Sequence, residues 1–463
     1  MSWVTAALLL GLGLRSFHYL RGAPIWHDEA AMIVNVLDKN FAELLGPLRF
    51  HNPTPPLFLW LEKTVCLLCG DGELSLRLVP FLASCAALFL MVPVARNLLA
   101  PPAAAWAVLL FACSEQLSWH ACEAKPYAAD LLVAMIVLAL FCRANPLPLG
   151  RMLLVLGLLA PVLIFLSYPA CFVYGGALAA LLPAVRREGR AWAWGGLTAV
   201  GIVAAGCFLA LMLGPVRAQR DDALVSCWTN CFPDWSRPWS VPMWTVLSTF
   251  EVGRYSCKPL GQGLIVLAVG GAVLLWKQGQ RAPVVALVVP MALALLAAFA
   301  HRYPYGGVRV MVFAAPAVLL LSAAAIPPSL VWLNARNRLA AAALVLFLLM
   351  PVGVSLLLVF VPWPTADTAS AADFVQAHRQ ADDPVTGNDW THLYYFRRLG
   401  PSFHWPEDDP VHPDARVWVV FTEEAPPETR WVGAANMAPP GWHVVERFDS
   451  QFTTAALFSA KEQ

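Results

Sequence analysis

Polar side chains able to do chemistry are concentrated in four short clusters of a strongly apolar sequence. The clusters span residues 26–30, 51–56, 119–130 and 301–309. Ionisable groups are expensive in apolar surroundings and tend to mark function there. The candidate site residues in these clusters are Asp28, Glu29, His51, Glu123, Lys125, Tyr127, Arg302, Tyr303, Tyr305 and Arg309.

The carboxylates, cations and aromatic rings suit a reaction in which a phosphate leaves and a hydroxyl or amine attacks. A carboxylate can take the proton of the nucleophile, and cations can hold the departing phosphate. Each cluster also has a structural explanation. Acids at a helix start stabilise it by about 0.3–1 kcal/mol. The other clusters can be explained as a proline-rich turn, an interfacial belt of Trp, Tyr and Lys, and an arginine that extends towards water.

The elements that carry these clusters are predicted to be membrane helices. Of the 463 residues, 59% are hydrophobic and 13% are charged, and a span needs roughly 20 apolar residues. The net charge of +1 gives no electrostatic case for nucleic acid. We predict a mainly α, polytopic membrane protein with about eleven spans. Their approximate bounds are 3–20, 76–96, 103–118, 127–142, 151–166, 169–185, 192–214, 261–276, 283–300, 308–327 and 339–361.

Basic residues predict the orientation of these spans. Alternate short loops carry the arginines and lysines, which the positive-inside rule assigns to the cytoplasm. The N-terminus is then cytoplasmic, and the first large loop 21–75, the second large loop 215–260 and the C-terminal tail are extracytoplasmic. All four polar clusters fall on this outer face. The basic loop residues are Arg96, Arg143, Arg151, Arg186, Arg187, Arg190, Lys277, Arg281, Arg336 and Arg338.

Two extracytoplasmic segments have a predicted structure of their own. Apolar residues from Ala30 to Leu45 recur at helical spacing, which predicts an amphipathic helix lying in the membrane interface with its apolar face down. A second helix is expected after Pro55 and Pro56. The tail 363–463 is predicted to be a small α/β domain, distinct from the membrane domain 1–362, with a helix from Asp373. Its strands are expected at 384–386, 416–421 and 443–446.

Eleven cysteines lie mostly inside apolar runs, where a small buried side chain is the ordinary interpretation. Cys227, Cys231 and Cys257 share one polar loop. If that loop faces an oxidising compartment, one disulfide can form among these three cysteines.

Three strings give the sequence a family resemblance. They are His-Asp-Glu-Ala at 27–30, Asn-Pro-Thr-Pro-Pro-Leu-Phe at 52–58, and Glu73 followed by Arg-Leu-Val-Pro at 77–80. Together they resemble the N-terminal pattern of GT-C glycosyltransferases. More narrowly, they are similar to the bacterial branch of the dolichyl-phosphate-mannose protein mannosyltransferase family, near the aminoarabinose and Rgt-type sugar transferases. The string Glu-Ala-Lys-Pro-Tyr at 123–127 resembles that branch's second-loop motif, which more often has arginine at the position of Lys125.

This resemblance implies an inverting transfer of a sugar from a polyprenyl-phosphate donor to an envelope acceptor outside the cytoplasm. Asp28 would be the catalytic base, and Glu29 would orient it or the sugar. Lys125, Arg302 and Arg309, in that order, are the candidates for the lipid phosphate. No cofactor is expected, and a divalent metal held by Asp28 and Glu123 is not favoured. The tail would tune the acceptor rather than perform the transfer.

Two other function classes compete with this hypothesis. A transporter or flippase of lipid-linked sugars would favour broken helices and ionisable residues near mid-membrane, often in repeated halves. No internal repeat is evident, and the acids cluster outside. The third hypothesis is a receptor that binds glycans without catalysis, and only Asp28 and Glu29 argue against it. The sugar, the chain length of the lipid and the acceptor class stay open.

Overall fold

The computed structural model describes residues 3–50, 52–219, 226, 228–406 and 415–460. The chain divides into two compact units. The first comprises Met1–Arg21, Phe41–Gly70 and Leu74–Val361, and the second comprises Gly22–Asn40, Asp71–Glu73 and Pro362–Gln463. The predicted boundary at 362/363 therefore lies next to the observed one, but two short N-terminal segments group with the C-terminal unit.

Helices make up the first unit, called here the membrane unit. They are α1 Trp3–Leu20, α3 Pro56–Cys69, α4 Glu73–Leu76, which begins in the second unit, α5 Leu78–Leu98, α6 Pro101–Ala112, α7 Glu115–His120, α8 Tyr127–Phe141, α9 Leu149–Leu166, α10 Ala170–Glu188, α11 Ala191–Leu213, α12 Pro215–Gln219, α13 Val241–Ser256, α14 Gly263–Lys277, α15 Arg281–Phe299, α16 Ala315–Arg336 and α17 Arg338–Phe360. Short 3-10 turns lie at Glu43–Leu45, Thr229–Cys231, Pro238–Ser240, Lys258–Leu260 and Arg309–Ala314.

Among the described residues, six helices are long and apolar enough to cross a membrane, and three shorter apolar helices accompany them. This chain is a multi-pass membrane protein. Helical structure lies at every one of the eleven predicted spans, although the third breaks at Cys113 and Ser114. The Ser114 hydroxyl accepts from Leu117 N and so caps α7. The count of eleven spans stays a prediction.

Arg15, inside the apolar helix α1, shows how this unit tolerates a buried charge. Its side chain is fully buried. Its guanidinium donates to the carbonyls of Phe111 and Ala112 at 3.3 and 3.0 Å and to Ser84 Oγ at 2.9 Å. The last carbonyls of a helix have no partner within that helix, and cations are favoured there. Arg15 therefore caps the end of α6.

The second unit, called here the C-terminal unit, is built on a five-stranded mixed sheet. The strand order is β2-β1-β3-β5-β4, with β1 parallel to β2 and β3, and β5 antiparallel to β3 and β4. The elements are α2 His27–Asp38, α18 Thr368–His378, β1 Val385–Gly387, α19 Trp390–Tyr395, a 3-10 turn Arg397–Ser402, β2 Phe403–His404, β3 Arg416–Thr422, α20 Pro427–Met437, β4 His443–Ser450 and β5 Thr453–Ser459.

Helices cover both faces of this sheet. Ala371, Ala372 and Val375 of α18 pack on one face, and Ala434 of α20 packs on the other. The predicted α/β class is confirmed. The predicted helix start at Asp373 is wrong, because the Asp367 carboxylate accepts from Ser370 N and so starts the helix five residues earlier.

The amphipathic helix predicted from Ala30 to Leu45 is confirmed only in its first part, because α2 ends at Asp38 and Glu43–Leu45 form a separate 3-10 turn. The apolar face of α2 is covered by protein. Ala30, Ile33 and Val34 are at most 4% exposed, and α2 packs on α19 within the C-terminal unit. The expected interfacial position with this face in lipid is therefore wrong. Helical spacing identifies an apolar stripe but does not distinguish a lipid surface from a protein surface. The second predicted helix is confirmed as α3, with Pro56 at its first position.

Candidate functional site

A small cavity in the membrane unit collects several of the predicted site residues. Its volume is about 70 Å³. The segment before α3, the start of α8, the turn before α10 and the segment before α16 form its walls. The lining residues are Asn52, Pro53, Pro55, Lys125, Pro126, Tyr127, Asp130, Tyr168, Pro169, Tyr303 and Val310.

Lys125 brings a cation to this cavity from the turn between α7 and α8. The turn is tight, with Lys125 N donating to Glu123 O at 2.7 Å. The lysine side chain is 1% exposed, and its Nζ donates to Asn52 Oδ1 at 3.1 Å. An ammonium group is costly to bury unless it is hydrogen-bonded and balanced by negative charge. The position therefore favours an anionic neighbour.

Asp130 and Asn52 contribute polar atoms that lack protein partners. Within the part of the chain that the structure describes, neither Asp130 Oδ1 nor Asn52 Nδ2 has a hydrogen-bond partner, although both atoms are buried. Buried polar groups are normally paired with protein, water or ligand. An acceptor and a donor that line one cavity with a lysine can therefore bind a polar ligand such as a sugar hydroxyl or a phosphate oxygen.

Glu123 belongs to a hydrogen-bonded network beside the cavity. Its Oε2 pairs with His120 Nδ1 at 2.8 Å, and His120 Nε2 pairs with the Tyr255 hydroxyl at 2.6 Å. Burial, and then the Glu123 carboxylate, raise the pKa of Tyr255 well above its usual value. Tyr255 therefore stays protonated, and its hydroxyl and the Glu123 carboxylate hold the His120 ring through its two nitrogens.

Arg309 connects this network to the cavity wall. Its Nη1 lies 3.7 Å from Glu123 Oε1, and its guanidinium lies 5.8 Å from the centre of the Tyr127 ring, which lines the cavity. The side chain of Arg309 is 33% exposed, whereas that of Glu123 is 1% exposed. Arg309 can therefore reach an anion while still balancing the buried carboxylate.

The structure brings together Lys125, Tyr127 and Tyr303 at the cavity, with Glu123 and Arg309 in the adjoining network. The i, i+4, i+7 spacing of Glu123, Tyr127 and Asp130 predicts that they share one face of a helix, and this prediction is wrong. The helix α8 begins only at Tyr127, after Pro126, and leaves Glu123 in the preceding turn.

Two further predicted residues do not line the cavity. Arg302 is exposed, and the hydroxyl of Tyr305 shares a hydrogen bond with Thr249 at 3.2 Å. His51 lies outside the described residues. Cys231 and Cys257 are free thiols, and Cys227 is also outside the described residues. The described residues contain no group of three or more His, Cys, Asp or Glu side chains able to hold a metal.

Asp28 and Glu29 lie in the first turn of α2, in the C-terminal unit. Glu29 is fully buried, and its Oε2 accepts from Trp26 N at 3.2 Å. Glu29 therefore stabilises the start of the helix, as the structural explanation expects. Asp28 is half-buried. The two adjacent acids thus differ in their surroundings, and the more accessible one is Asp28.

Several polar residues at the site are not among those predicted from the sequence. Asn52, His120 and Asp130 were within the polar clusters but were not selected, and Tyr255 was in none of them. Asp130 had a signal of its own, since it is an acid immediately before a long apolar run. Tyr255 had none, because its contact with His120 joins residues 135 positions apart.

Comparisons with known proteins agree on the fold. Residues 53–212 match the model of the dolichyl-phosphate-mannose-protein mannosyltransferase family. Comparison with curated protein sequences finds no match. ArnT from Cupriavidus metallidurans bound to undecaprenyl phosphate is similar over 99% of this chain and 98% of its own, with 15% identity and a TM-score of 0.56.

Two further solved structures share this architecture. The apo state of ArnT from Cupriavidus metallidurans matches over 98% of each chain, with 13% identity and a TM-score of 0.52. The oligosaccharyltransferase AglB from Archaeoglobus fulgidus, in complex with an inhibitory peptide and a dolichol-phosphate, matches over 98% of this chain and 74% of its own. Its identity is 11% and its TM-score is 0.50. The polytopic helical fold is therefore shared with ArnT and AglB.

Proposed function

We propose that this chain, a multi-pass membrane protein with the GT-C glycosyltransferase fold, transfers a sugar from a polyprenyl-phosphate donor to an acceptor on the extracytoplasmic face. The observation that carries the proposal is the buried Lys125 beside unpaired polar atoms of Asn52 and Asp130 in one cavity. Similar structures carry undecaprenyl phosphate or dolichol-phosphate. Such lipids place a phosphate at the end of an apolar chain, which suits a polar cavity in a membrane unit.

Lys125 is assigned to the donor phosphate. A charge-assisted hydrogen bond from an ammonium to a phosphate oxygen is about twice as strong as a neutral one. The interaction between the ammonium and the phosphate becomes stronger as the sugar–phosphate bond breaks, because negative charge accumulates on the leaving oxygen. The sequence placed Arg302 second and Arg309 third. We exchange them, because Arg309 is partly exposed and lies beside Tyr127, whereas Arg302 is exposed and does not line the cavity.

Asp28 is assigned the role of general base, as the family resemblance implies. The acceptor oxygen or nitrogen attacks the anomeric carbon on the side opposite the phosphate, and the bond from that carbon to the phosphate oxygen breaks. Asp28 takes the acceptor proton, and polyprenyl phosphate leaves with the bonding electron pair. One displacement of this kind inverts the anomeric configuration. Glu29 supports Asp28 by fixing the first turn of α2.

A direct test uses purified protein in lipid nanodiscs with synthetic polyprenyl-phosphate sugars and envelope acceptors. The expected products are free polyprenyl phosphate and a glycosylated acceptor of inverted configuration. A flippase would instead move a labelled donor across a liposome membrane with the sugar–phosphate bond intact. That result would refute the proposed transfer reaction and favour a flippase. Mass spectrometry of envelope glycans in a deletion strain would identify the acceptor class.

The Asp28→Asn variant tests the assigned base. Asparagine keeps the size of the side chain but cannot accept a proton at neutral pH. General-base catalysis contributes about 10²–10⁴-fold, so we expect a rate loss of that order with donor binding intact. The matched control is Asp38→Asn, an exposed acid at the other end of the same helix. Full activity of the Asp28→Asn variant would refute the assignment of Asp28 as the general base.

A further inference from the structure

The segment that carries Asp28 is built into the C-terminal unit. Gly22–Asn40 and Asp71–Glu73 form one compact body with Pro362–Gln463. Within it, α2 packs its buried face on α19, a short helix of the C-terminal tail. The position of Asp28 therefore depends on residues more than three hundred positions later in the chain.

His27, the immediate neighbour of Asp28, is held by two consecutive residues at the start of α19. Its Nδ1 lies 2.7 Å from Asp389 Oδ2. Its ring stacks on the Trp390 ring, with 3.9 Å between the centroids and 18° between the planes. The hydrogen bond fixes the direction of the imidazole and the stacking fixes its plane, so the first residue of α2 is restrained on two sides.

Asp389 is itself immobilised by buried hydroxyl groups. Its Oδ1 accepts from Thr391 N at 2.9 Å and from Thr391 Oγ1 at 2.7 Å. Hydroxyl contacts continue from Thr391 to Thr368 and from there to Thr453. The carboxylate that holds His27 is thus anchored in the interior of the unit, which is what an orienting group requires.

A second attachment lies at the other end of α19. The Tyr395 hydroxyl accepts from Ile25 N at 2.8 Å and donates to Glu73 Oε1 at 2.5 Å. It therefore ties the residues just before α2 to the segment before α5. Arg397 adds an ion pair to Asp71, with Nη2 lying 2.7 Å from Oδ2.

From these contacts we infer that Asp389, acting through His27, and Tyr395, acting through Ile25, are positioning residues for Asp28. The inference rests on the proposed function, in which Asp28 is the base. It departs from the expectation that the tail only tunes the acceptor, because α19 of the tail sets the geometry of the reacting carboxylate. A misplacement of about 1 Å can cost about 10²-fold in rate, and loss of an orienting partner typically costs about 10- to 100-fold.

The test measures kcat, the Kd for polyprenyl phosphate and the melting temperature of the Asp389→Asn and Tyr395→Phe variants in nanodiscs. We expect kcat to fall about 10- to 100-fold in both variants, with the Kd for polyprenyl phosphate close to that of the parent protein. The melting temperature should fall in Asp389→Asn, which loses a stabilising buried charge, so its kcat is measured at a temperature where the variant is fully folded. Tyr395→Phe keeps the ring and removes only the hydroxyl. The matched control is Asp382→Asn, an exposed acid of the same unit, which should keep parental kcat. Asp389→Glu should recover part of the lost rate.

A double-mutant cycle separates positioning from general damage. If Asp389 acts only through Asp28, adding Asp389→Asn to Asp28→Asn should not lower the residual rate further. An equal fold-loss in both backgrounds would overturn the inference, as would unchanged kcat in Asp389→Asn. Absence of transfer by the parent protein would instead count against the proposed function, so the two failures are distinguishable.

Discussion

Replacing Lys125 by methionine tests the assignment of the donor phosphate most directly. Methionine keeps an unbranched side chain of similar length and removes the charge. The lysine is 1% exposed, so bulk solvent does not weaken its contact with an anion as it would at a surface. A hydrogen bond to a charged group contributes about 1.5–3 kcal/mol. We therefore expect the Kd for polyprenyl phosphate to rise about 10- to 100-fold.

The same substitution has a separate cost in stability. Asn52 Oδ1 loses the donor that lies 3.1 Å away, and an unsatisfied buried acceptor costs about 1–3 kcal/mol. A lower melting temperature without ligand should therefore accompany the weaker binding. Lys125→Arg should largely keep the affinity, because the positive charge remains. Measuring the Kd for polyprenyl phosphate and the melting temperature of both variants separates the loss of charge from the loss of stability.

The assay is equilibrium binding of polyprenyl phosphate to protein in nanodiscs. Lys277→Met, at the exposed C-terminal end of α14, serves as a matched control. It removes one lysine from the membrane unit but lies outside the candidate cavity. An unchanged Kd in Lys125→Met would refute the assignment, and Arg309 and Arg302 would then be tested in turn.

Four further outcomes are expected. Glu29→Gln should cost less rate than Asp28→Asn in the same transfer assay, because Glu29 caps the helix while Asp28 takes the proton; an equal loss would contradict this. A reporter active only in the cytoplasm should be silent when fused after residue 463, and a positive signal would reverse the predicted topology. Removal of residues 364–463 should leave polyprenyl-phosphate binding measurable while abolishing transfer. Burial alone would raise the pKa of Asp389, but the hydrogen bond from His27, aided by the charge of His392, lowers it to about 2. A depressed acid pKa stabilises the folded state at pH values above the ordinary pKa of the acid, and this stabilisation is lost as pH falls towards 2. The protection of the β3 amides against hydrogen exchange, relative to the intrinsic rate at each pH, should therefore fall between about pH 4 and 2, and less steeply in Asp389→Asn.

The membrane helices and their order could be predicted because a single property, apolar length, determines them. The C-terminal sheet was predicted less completely. The strand β5 was missed although it is central and buried at all seven positions. Its sequence Thr-Thr-Ala-Ala-Leu-Phe-Ser has no polar alternation, and alanine is depleted in strands. A strand buried on both faces gives no period of two from which to recognise it.

The candidate site was predicted where its residues lie close together in sequence. Lys125 and Tyr127 lie in one motif, and both line the cavity. The contact that holds His27, the neighbour of Asp28, was not predicted, because His27 and Asp389 are separated by 362 positions and nothing local connects them. The apolar stripe of α2 was recognised, but its covering surface was assigned to lipid. Periodicity reports which face is buried, whereas tertiary contacts determine what covers it.

The packing of α2 on α19 also has a consequence for how the protein is made. Ribosomes add about 5–20 residues per second, so the 362 positions between His27 and Asp389 correspond to a delay of roughly 20–70 s. During that time α19 cannot cover the apolar face of α2, and we expect a membrane interface to cover it instead. We expect the nascent chain to hold α2 there until synthesis of α19 allows the two helices to pair. The pairing of α2 with α19 would then form only after nearly the whole chain has been translated.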